Sequence, residues 1–335
     1  MEYVTLGKTG LRVSRMGLGG IPIQKIDAEG TKTLLHKLAD RGVNYIDTAR
    51  GYTVSEEYLG YALEGIRDRF IIATKSMART KEAMAEDIEK SLHNLRTDHI
   101  ELYQVHNPSM EQLDQVQAAG GALEALQEAR AAGKIGHIGL TAHSVEVFAR
   151  ALELDWVETI MFPYNIVESQ GEELISKCEE KNIGFIDMKP LAGGAIENGT
   201  LALRYVCSNK NVTSVIPGMA EEKDIEENLK ACLDDSPLSE KELEEVQTVR
   251  NQLGTNFCRR CNYCAPCSVG IDISGVFLFA GYLNRYGLGD WARNRYSSLV
   301  VKASACIECG KCETRCPYHL PIREMLKECA QQFGE

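Results

Sequence analysis

Much of the chain repeats one pattern of apolar and polar positions: a short β-rich run, a loop, and an amphipathic stretch of helix-forming composition. The pattern occurs eight times. The predicted strands are Met16–Gly19, Asn44–Asp47, Phe70–Thr74, Ile100–Val105, Gly136–Leu140, Val157–Met161, Gly184–Asp187 and Thr213–Ile216. Strands that alternate with helices form parallel sheets, and eight such units suit a closed (β/α)8 barrel, the TIM barrel of the α/β class.

An open, doubly wound sheet is the alternative fold. Such a sheet usually carries the phosphate-binding pattern G-x-G-x-x-G between its first strand and a helix. Here Gly17-Leu18-Gly19-Gly20 does not continue that pattern, and Ile21-Pro22 follows it where the helix would begin. The sequence therefore favours the closed barrel.

The pattern divides the chain into three parts: a barrel over 1–235, a linker helix over 236–256, and a cysteine-rich domain over 257–335. Tyr3–Ser14 is predicted to be a hairpin that plugs the lower end of the barrel. The turn-forming cluster Asp234–Pro237 ends the barrel, and Ser239 with Glu242 forms a capping box that opens the linker helix. The cysteine-rich domain is predicted to be small and mainly helical.

Composition limits the functions that the chain can perform. It has 335 residues, 44% of them hydrophobic and 25% charged, which is enough to bury a full core. Its net charge of −11 argues against binding to nucleic acid or to a membrane surface, because phosphate binding needs a cationic face. The sequence shows neither a targeting segment nor an apolar stretch of about 18 residues, so we expect a cytoplasmic protein.

Eight of the twelve cysteines form two tight groups near the C-terminus. The second group, which has the spacing of a bacterial ferredoxin, is Cys306-x2-Cys309-x2-Cys312-x3-Cys316-Pro317. The first group, which is one residue shorter in its last spacing, is Cys258-x2-Cys261-x2-Cys264-x2-Cys267. Two zinc sites are the alternative, but structural zinc usually takes separated pairs of ligands. The spacing therefore predicts two [4Fe-4S] clusters.

In the ferredoxin pattern, three close thiolates bind one cluster and the fourth cysteine of the run reaches the other. This rule assigns one cluster to Cys258, Cys261, Cys264 and Cys316, and the other to Cys306, Cys309, Cys312 and Cys267. The four cysteines that stand singly in helical patterns are predicted to be buried thiols without special chemistry: Cys178, Cys207, Cys232 and Cys329.

Four polar residues stand at or just after the ends of successive predicted strands: Asp47, Tyr52, Lys75 and His106. Barrels of this kind carry their chemistry at the C-terminal strand ends, so we expect these side chains to surround one pocket. Each alone has a structural explanation, as a loop cap, a packing ring, a surface lysine or a core histidine. Together they form a desolvated charge pair beside two acid-base groups, a cost that functional sites tolerate.

The segments around these residues resemble the aldo-keto reductase superfamily between about Tyr3 and Cys232. The similar segments are Gly42–Tyr52, Ala73–Lys75, Gln104–His106, Val215–Gly218 and Glu227–Asn228. The whole chain resembles an aldo-keto reductase fused to a ferredoxin-type domain, which implies an oxidoreductase that transfers hydride between a nicotinamide and a carbonyl. The resemblance makes Tyr52 the general acid/base, which needs an adjacent ammonium because a phenol has a pKa of about 10. The resemblance makes Lys75, held by Asp47, the source of this ammonium. It makes His106 the residue that orients the carbonyl.

The resemblance also implies cofactor contacts. It places Thr141 and Asn165 near the nicotinamide, and Gly218, Met219, Glu227 and Asn228 around the adenosine. Ala142 and Met188 replace an amide and an aromatic side chain of the family pattern. Within Met219–Asp224, where NADPH-using relatives offer arginine, only Lys223 is cationic, so NADH is favoured over NADPH.

The two halves handle electrons differently, because a nicotinamide moves two as hydride and each cluster moves one. A flavin at the barrel mouth would convert between them. Alternatively, the clusters reduce a substrate directly, or the cluster domain is structural or docks a partner. An acidic ferredoxin would suit the cations near the cysteines, which are Arg259, Arg260, Lys302, Lys311, Arg315 and Arg323. An electron-transfer protein whose barrel binds a substrate, a flavin or a protein partner is thus the alternative to a nicotinamide-linked enzyme.

Overall fold

The computed structural model describes residues 1–253, 256–260, 263–285, 287–316 and 318–335. The chain divides into two compact units: Met1–Pro190 with Asn198–Leu238, and Leu191–Glu197 with Ser239–Glu335. The sequence placed 191–197 within the barrel segment, whereas this loop groups with the cysteine-rich unit. Within the described ranges, no helix is both long enough and apolar enough to cross a membrane.

The first unit contains an eight-stranded parallel sheet in which the strands follow one another in chain order. The strands are β3 (Leu18–Gly19), β4 (Tyr45–Asp47), β5 (Ile71–Ser76), β6 (Ile100–His106), β7 (Ile135–Thr141), β8 (Thr159–Pro163), β9 (Gly184–Met188) and β10 (Ser214–Ile216). All eight predicted strands are therefore confirmed, and their bounds differ only at the ends.

The last strand returns to the first and closes the barrel. Parallel bridges join Met16 to Val215 and Gly19 to Gly218. The Gly17 amide donates to the Val215 carbonyl at 2.9 Å, and a Cβ atom on Gly17 would lie 2.7 Å from the Tyr45 ring. Glycine is therefore needed for close approach at this seam, and the predicted closed barrel is confirmed.

A hairpin of β1 (Tyr3–Thr5) and β2 (Arg12–Ser14) precedes the barrel, as predicted. Its turn places Leu6, which is fully buried, in a core cluster with inward-facing strand residues such as Leu102 and Ile186. Gly7 has a φ of +54°, and a Cβ atom there would lie 2.2 Å from the Gly184 backbone nitrogen at the start of β9. The hairpin thus plugs the end of the barrel where the strands begin.

The helices of the first unit cover the barrel. They are α1 (Ala28–Asp40), α2 (Ser55–Ala62), α3 (Lys81–Leu95), α4 (Met110–Gln117), α5 (Ala122–Ala131), α6 (Val145–Ala151), α7 (Glu172–Glu180), α8 (Gly199–Ser208) and α9 (Glu222–Cys232). In α3, the Thr80 side chain accepts from the Ala83 amide and caps the first turn, while Met84, Ile88 and Leu95 are buried at helical spacing.

The second unit is mainly helical, as predicted. Its helices are α10 (Glu240–Leu253), α11 (Ile273–Asn284), α12 (Gly289–Ser297), α13 (Lys311–Arg315) and α14 (Ile322–Phe333). The predicted capping box is present, because the Ser239 hydroxyl accepts from the Glu242 amide at 3.3 Å and the Glu242 carboxylate accepts from the Ser239 amide at 2.8 Å. The predicted burial of the four single cysteines is confirmed for Cys178, Cys207, Cys232 and Cys329.

Candidate active site and cluster sites

A buried ion pair links the ends of β4 and β5. Lys75 Nζ donates to Asp47 Oδ1 at 2.5 Å and to the Thr48 carbonyl at 2.7 Å. Gln104 on β6 donates from Nε2 to Asp47 Oδ2 at 2.9 Å. Alternate residues of a strand share a face, which turns Asp47, Lys75 and Gln104 into the barrel together with the inward-facing core residues. Three adjacent strands therefore hold one charged network in the interior.

Burial dominates the electrostatics of this pair. Desolvation raises the pKa of Asp47 above its ordinary value, against the opposing effects of the Lys75 ammonium and the Gln104 amide. Desolvation likewise lowers the pKa of Lys75, and the Asp47 carboxylate opposes that change. Each partner therefore depends on the other for its charge.

Tyr52 and His106 lie beside this pair. The Lys75 ammonium is 4.9 Å from the centroid of the Tyr52 ring. The rings of Tyr52 and His106 meet edge to face, with centroids 6.3 Å apart and planes at 87°. The structure thus brings the four predicted catalytic residues together at the C-terminal strand ends.

Strained backbone marks the same rim. Thr53, Asn107 and Lys189 have φ values of 41°, 46° and 61°, in the left-handed region that non-glycine residues rarely occupy. Thr53 follows Tyr52, and Asn107 follows His106. Such strain concentrates at functional sites, where the surrounding structure holds it in place.

His106 is held in its neutral form. Its pKa is well below the usual value, first because of burial and then because of the cations Lys75, Arg79 and Lys189. Its Nδ1 atom is buried and has no hydrogen-bond partner among the described residues. A neutral imidazole retains one N–H, so His106 can donate a hydrogen bond to a carbonyl oxygen without gaining a proton.

A second buried network, which sequence reasoning missed, supports the loop that carries Tyr52. Glu56 is 1% exposed, forms an ion pair with Arg50, and accepts from the hydroxyls of Thr74 and Ser91 at 2.8 Å each. The Arg50 amide donates to the Lys75 carbonyl at 3.0 Å, which ties this loop to β5. The sequence did not distinguish Glu56 from its neighbour Glu57, since both lie in the first turn of α2, where acidic residues are common.

The residues expected near the nicotinamide are already engaged. The Thr141 hydroxyl, at the end of β7, accepts from the Asn107 amide at 3.0 Å. Asn165 is fully buried, and its Nδ2 donates to Glu168 Oε2 and to the Lys189 carbonyl, each at 2.9 Å. Its Oδ1 accepts from two loop amides. Asn165 could therefore bind a nicotinamide carboxamide only by giving up one of these bonds, whereas the Thr141 hydroxyl still has its O–H to donate.

The residues expected around the adenosine lie at the loop after β10 and on α9. Gly218 bridges to Gly19, Met219 is fully buried, Glu227 is exposed and Asn228 is half-buried. Near the start of α9, Lys223 forms an ion pair with Glu221 at 2.9 Å. The one cation that the sequence offered to a 2′-phosphate is therefore paired with a carboxylate.

In the second unit, the cysteines line two cavities. One cavity is lined by Cys258, Cys264 and Cys316 together with Arg259 and Tyr318. The Arg259 guanidinium is 3.8 Å from the centroid of the Tyr318 ring. Cys261, the fourth predicted ligand of this cluster, lies outside the described residues.

The cysteines that line the other cavity are Cys267, Cys306, Cys309 and Cys312. Ser268, the residue that replaces the usual proline, lies with its hydroxyl 3.5 Å from Cys309 Sγ. Ile273 lines both cavities, so the two are neighbours. Among the described residues, no three histidine, cysteine or carboxylate side chains approach closely enough to hold a single metal ion.

Several of the cations near the cysteines have internal partners. Lys302 Nζ donates to the carbonyls of Tyr296, Ser297 and Leu299 after α12. Arg323 forms an ion pair with Glu313 at 2.8 Å. These two charges therefore serve the fold of the unit itself.

Two family models match the chain. Residues 15–200 match the aldo/keto reductase family, and residues 257–321 match a 4Fe-4S dicluster domain. The second match identifies iron–sulfur clusters as the cofactor of the C-terminal unit, and the cysteine side chains that line the two cavities are the ligands that such clusters take.

Curated relatives agree with the first match. L-galactose dehydrogenase of Arabidopsis thaliana is 28% identical over 306 residues, which cover 74% of this chain and 94% of the relative. Aldo-keto reductase YhdN of Bacillus subtilis is 35% identical over 201 residues, which cover 54% of this chain and 59% of the relative.

Solved structures resemble the barrel. PA4992 from Pseudomonas aeruginosa superimposes with a TM-score of 0.63 at 29% identity, covering 69% of this chain and 94% of that protein. Aldo-keto reductase AKR11C1 from Bacillus halodurans, in its holo form, superimposes with a TM-score of 0.65 at 24% identity. The superposition covers 74% of this chain and 96% of that protein, and at this identity it supports the fold alone.

Proposed function

The chain belongs to the aldo/keto reductase family and is an oxidoreductase with a C-terminal iron–sulfur domain, and we propose that its barrel catalyses NAD(P)H-linked interconversion of a small carbonyl and its alcohol. The observation that carries the proposal is the set of Asp47, Tyr52, Lys75 and His106 at adjoining strand ends. A barrel that only bound a partner would have no need of a buried ion pair beside a phenol and a neutral imidazole.

Each residue has a separate role in this proposal. The Lys75 ammonium, fixed by Asp47 and the Thr48 carbonyl, stabilises the phenolate of Tyr52, which then accepts or returns the proton of the substrate oxygen. His106 donates a hydrogen bond to the same oxygen and orients the carbonyl. A bound nicotinamide would supply the hydride.

The acidic start of α9 supports NADH over NADPH. Glu221 pairs with Lys223, and Glu222 pairs with Lys37. A 2′-phosphate there would meet carboxylates and would find those lysines already paired. We propose Thr141 and Asn165 as nicotinamide contacts, and Gly218, Met219, Glu227 and Asn228 as adenosine contacts, after rearrangement of the Asn165 hydrogen bonds.

The cavities support the assignment of cluster ligands. We propose Cys258, Cys261, Cys264 and Cys316 for one cluster, and Cys267, Cys306, Cys309 and Cys312 for the other. The clusters would exchange single electrons with a redox protein, for which an acidic ferredoxin remains our proposal, or with a flavin. Lys311 remains a candidate contact for an acidic partner, whereas Lys302, Arg315 and Arg323 already have partners inside the unit.

The test is substrate turnover by a Tyr52→Phe variant, measured as oxidation of NADH and of NADPH with a panel of small aldehydes and ketones. Tyr58, a half-buried tyrosine in α2, provides the matched control Tyr58→Phe. Because general acid–base catalysis contributes about 10²- to 10⁴-fold, we expect a loss of that order in kcat only in Tyr52→Phe. Full turnover by Tyr52→Phe would remove the basis of the proposal.

A second candidate is a cluster-driven reductase in which the barrel binds the substrate without nicotinamide. The observation that favours it is the complete engagement of the buried Asn165 amide by internal bonds. In that case, reduced clusters alone would support turnover. Anaerobic reduction of the clusters with dithionite, followed by the carbonyl panel without nicotinamide, distinguishes the two: product formation favours this candidate, and its absence favours hydride transfer.

A further inference from the structure

A cation that the proposed mechanism does not use lies at the rim of the barrel. Arg79 follows the end of β5, four residues after Lys75, and is half-buried. Its Nη2 atom donates to the His106 backbone carbonyl at 2.8 Å. The guanidinium is therefore anchored next to the residue proposed to orient the carbonyl.

The charge of Arg79 is not neutralised within the described part of the chain. Its guanidinium forms no ion pair with a described carboxylate, and its acceptors are the His106 and Ala78 carbonyls and the Gln112 amide oxygen. The last acceptor is shared, because Gln112 Oε1 also accepts from the Ser109 amide at 3.0 Å. Nε of Arg79 is buried without a partner among the described residues. A guanidinium has five N–H donors, so this one has unmet capacity.

Burial makes that charge costly to hold. Desolvation lowers the pKa of Arg79 to about 10, which still leaves the guanidinium charged near neutral pH. A partly desolvated cation without a counter-ion is a destabilising arrangement unless a ligand supplies the missing charge. Elsewhere in the unit the same residue type is paired: Arg50 with Glu56, and Arg67 with Glu101.

The neighbours of Arg79 reinforce a positive field. Lys75, Arg79 and Lys189 are the cations that lower the pKa of His106, so positive charge gathers around this side chain. The wider protein is acidic, with a net charge of −11. A positive rim within an acidic protein is a local feature, and such a rim attracts anions into the site.

We propose that Arg79 binds an anionic group of the substrate, so that the substrate is a small carbonyl compound bearing a carboxylate or a phosphate. A guanidinium matches both groups through paired N–H donors. Arg79 is hydrogen-bonded to the backbone carbonyl of His106. An anionic group bound to Arg79 would therefore be close, within the substrate, to the carbonyl that His106 orients. This inference rests on the proposed function, whose substrate class it narrows.

The experiment compares charged substrates with neutral counterparts in the cluster-loaded enzyme. The probes are pyruvate against methyl pyruvate, succinic semialdehyde against its methyl ester, and glyceraldehyde 3-phosphate against glyceraldehyde. The variants are Arg79→Met and the conservative Arg79→Lys. The control is Arg130→Met, which removes a cation that pairs with Glu158 just before β8, away from the strand ends that form the site.

We expect Arg79→Met to raise KM for the preferred anionic substrate by about 10- to 100-fold and to change KM for the neutral counterpart little. Arg79→Lys should recover part of the loss, and Arg130→Met should behave as the wild type. Comparison of the carboxylate probes with the phosphate probe shows which of the two anionic groups Arg79 binds. Equal KM values for wild type and Arg79→Met with every anionic probe would overturn the inference.

Direct measurement of anion binding distinguishes failure of the proposed hydride chemistry from failure of the proposed anion site. If the wild type reduces no carbonyl, calorimetric titration with oxamate and with inorganic phosphate still measures anion binding at Arg79. Binding that weakens in Arg79→Met but not in Arg130→Met supports the anion site without the hydride chemistry. Binding that is equal in all three proteins overturns the inference.

Discussion

Replacing Lys75 by methionine removes a buried positive charge while keeping most of the side-chain volume. The ammonium lies 4.9 Å from the centroid of the Tyr52 ring. At an effective dielectric constant of about 20, unit charges at that separation attract by about 3 kcal/mol, which corresponds to about 2.5 pKa units. Asp47 partners Lys75 and offsets part of this attraction, so we expect catalysis to fall by about 10- to 100-fold near neutral pH.

The same change leaves Asp47 in the interior with the Gln104 amide as its one side-chain partner among the described residues. Breaking one side of a buried ion pair costs about 3–5 kcal/mol of stability, so the single variant will unfold more easily. The double variant Lys75→Met/Asp47→Asn removes both charges and should recover much of that stability. Comparing the two variants therefore separates loss of fold from loss of chemistry.

The assay is the pH dependence of kcat/KM for alcohol oxidation, the direction that needs the basic form of Tyr52. Without the ammonium the phenolate is less stable, so the pH at which activity rises should move upward by about one to two units. Both the single and the double variant should show this shift, whatever their stabilities. A double variant that is folded and has the wild-type pH profile would refute the role given to Lys75.

Three further predictions follow from other parts of the molecule. Because burial and neighbouring cations hold the pKa of His106 well below its usual value, carbonyl reduction should show no imidazole ionisation between about pH 6 and 8; a step near pH 6.5 that disappears in His106→Gln would contradict this. Cys267→Ala should lower the iron content from about eight atoms per chain towards four, whereas Cys178→Ala, at a buried thiol of the barrel unit, should not; equal iron in both would contradict the ligand assignment. Gly60→Ala should lower the free energy of unfolding by about 1–3 kcal/mol in chemical denaturation, because its Cβ atom would lie 2.1 Å from the Asn94 carbonyl; an unchanged value would contradict the packing of α2 on α3.

The barrel could be predicted from sequence because its signals are local. Each strand is a short run rich in β-branched and other apolar residues, such as Ile71–Ser76, followed by a helical pattern. The proposed catalytic set could be predicted for the same reason, since Asp47 and His106 end their strands and Lys75 is the next-to-last residue of its strand. Once parallel strands are assigned, their ends must meet at one rim.

Contacts between distant segments could not be predicted from local sequence signals. No residue pattern around Asn165 predicts that its amide donates to the Glu168 carboxylate and to the Lys189 carbonyl. Arg79 stands in a loop without a motif, and the role proposed for it depends on contacts across the fold, such as its bond to the His106 carbonyl. The grouping of 191–197 with the second unit likewise depends on long-range contacts, such as the bond from Arg285 Nε to the Gly193 carbonyl at 3.2 Å.

The cysteine groups include one feature that the sequence predicts and one that it does not. Their spacing predicted which residues belong together, and the cavities group Cys267 with Cys306, Cys309 and Cys312 across about forty residues of chain. The Ser268 hydroxyl beside Cys309 could not be predicted, because it depends on the fold that joins the two groups. Hydrogen bonds to cluster sulfurs influence reduction potential, so this contact is also of functional interest.

The most direct test of hydride transfer in the barrel is an isotope measurement. The anaerobically purified, cluster-loaded enzyme would be given NADH deuterated on both positions of nicotinamide C4, with the carbonyl that it reduces best, and the alcohol product analysed by mass spectrometry. We expect one deuterium at the carbinol carbon. A product that carries only solvent hydrogen at that carbon would contradict direct hydride transfer and would favour reduction by single electrons from the clusters.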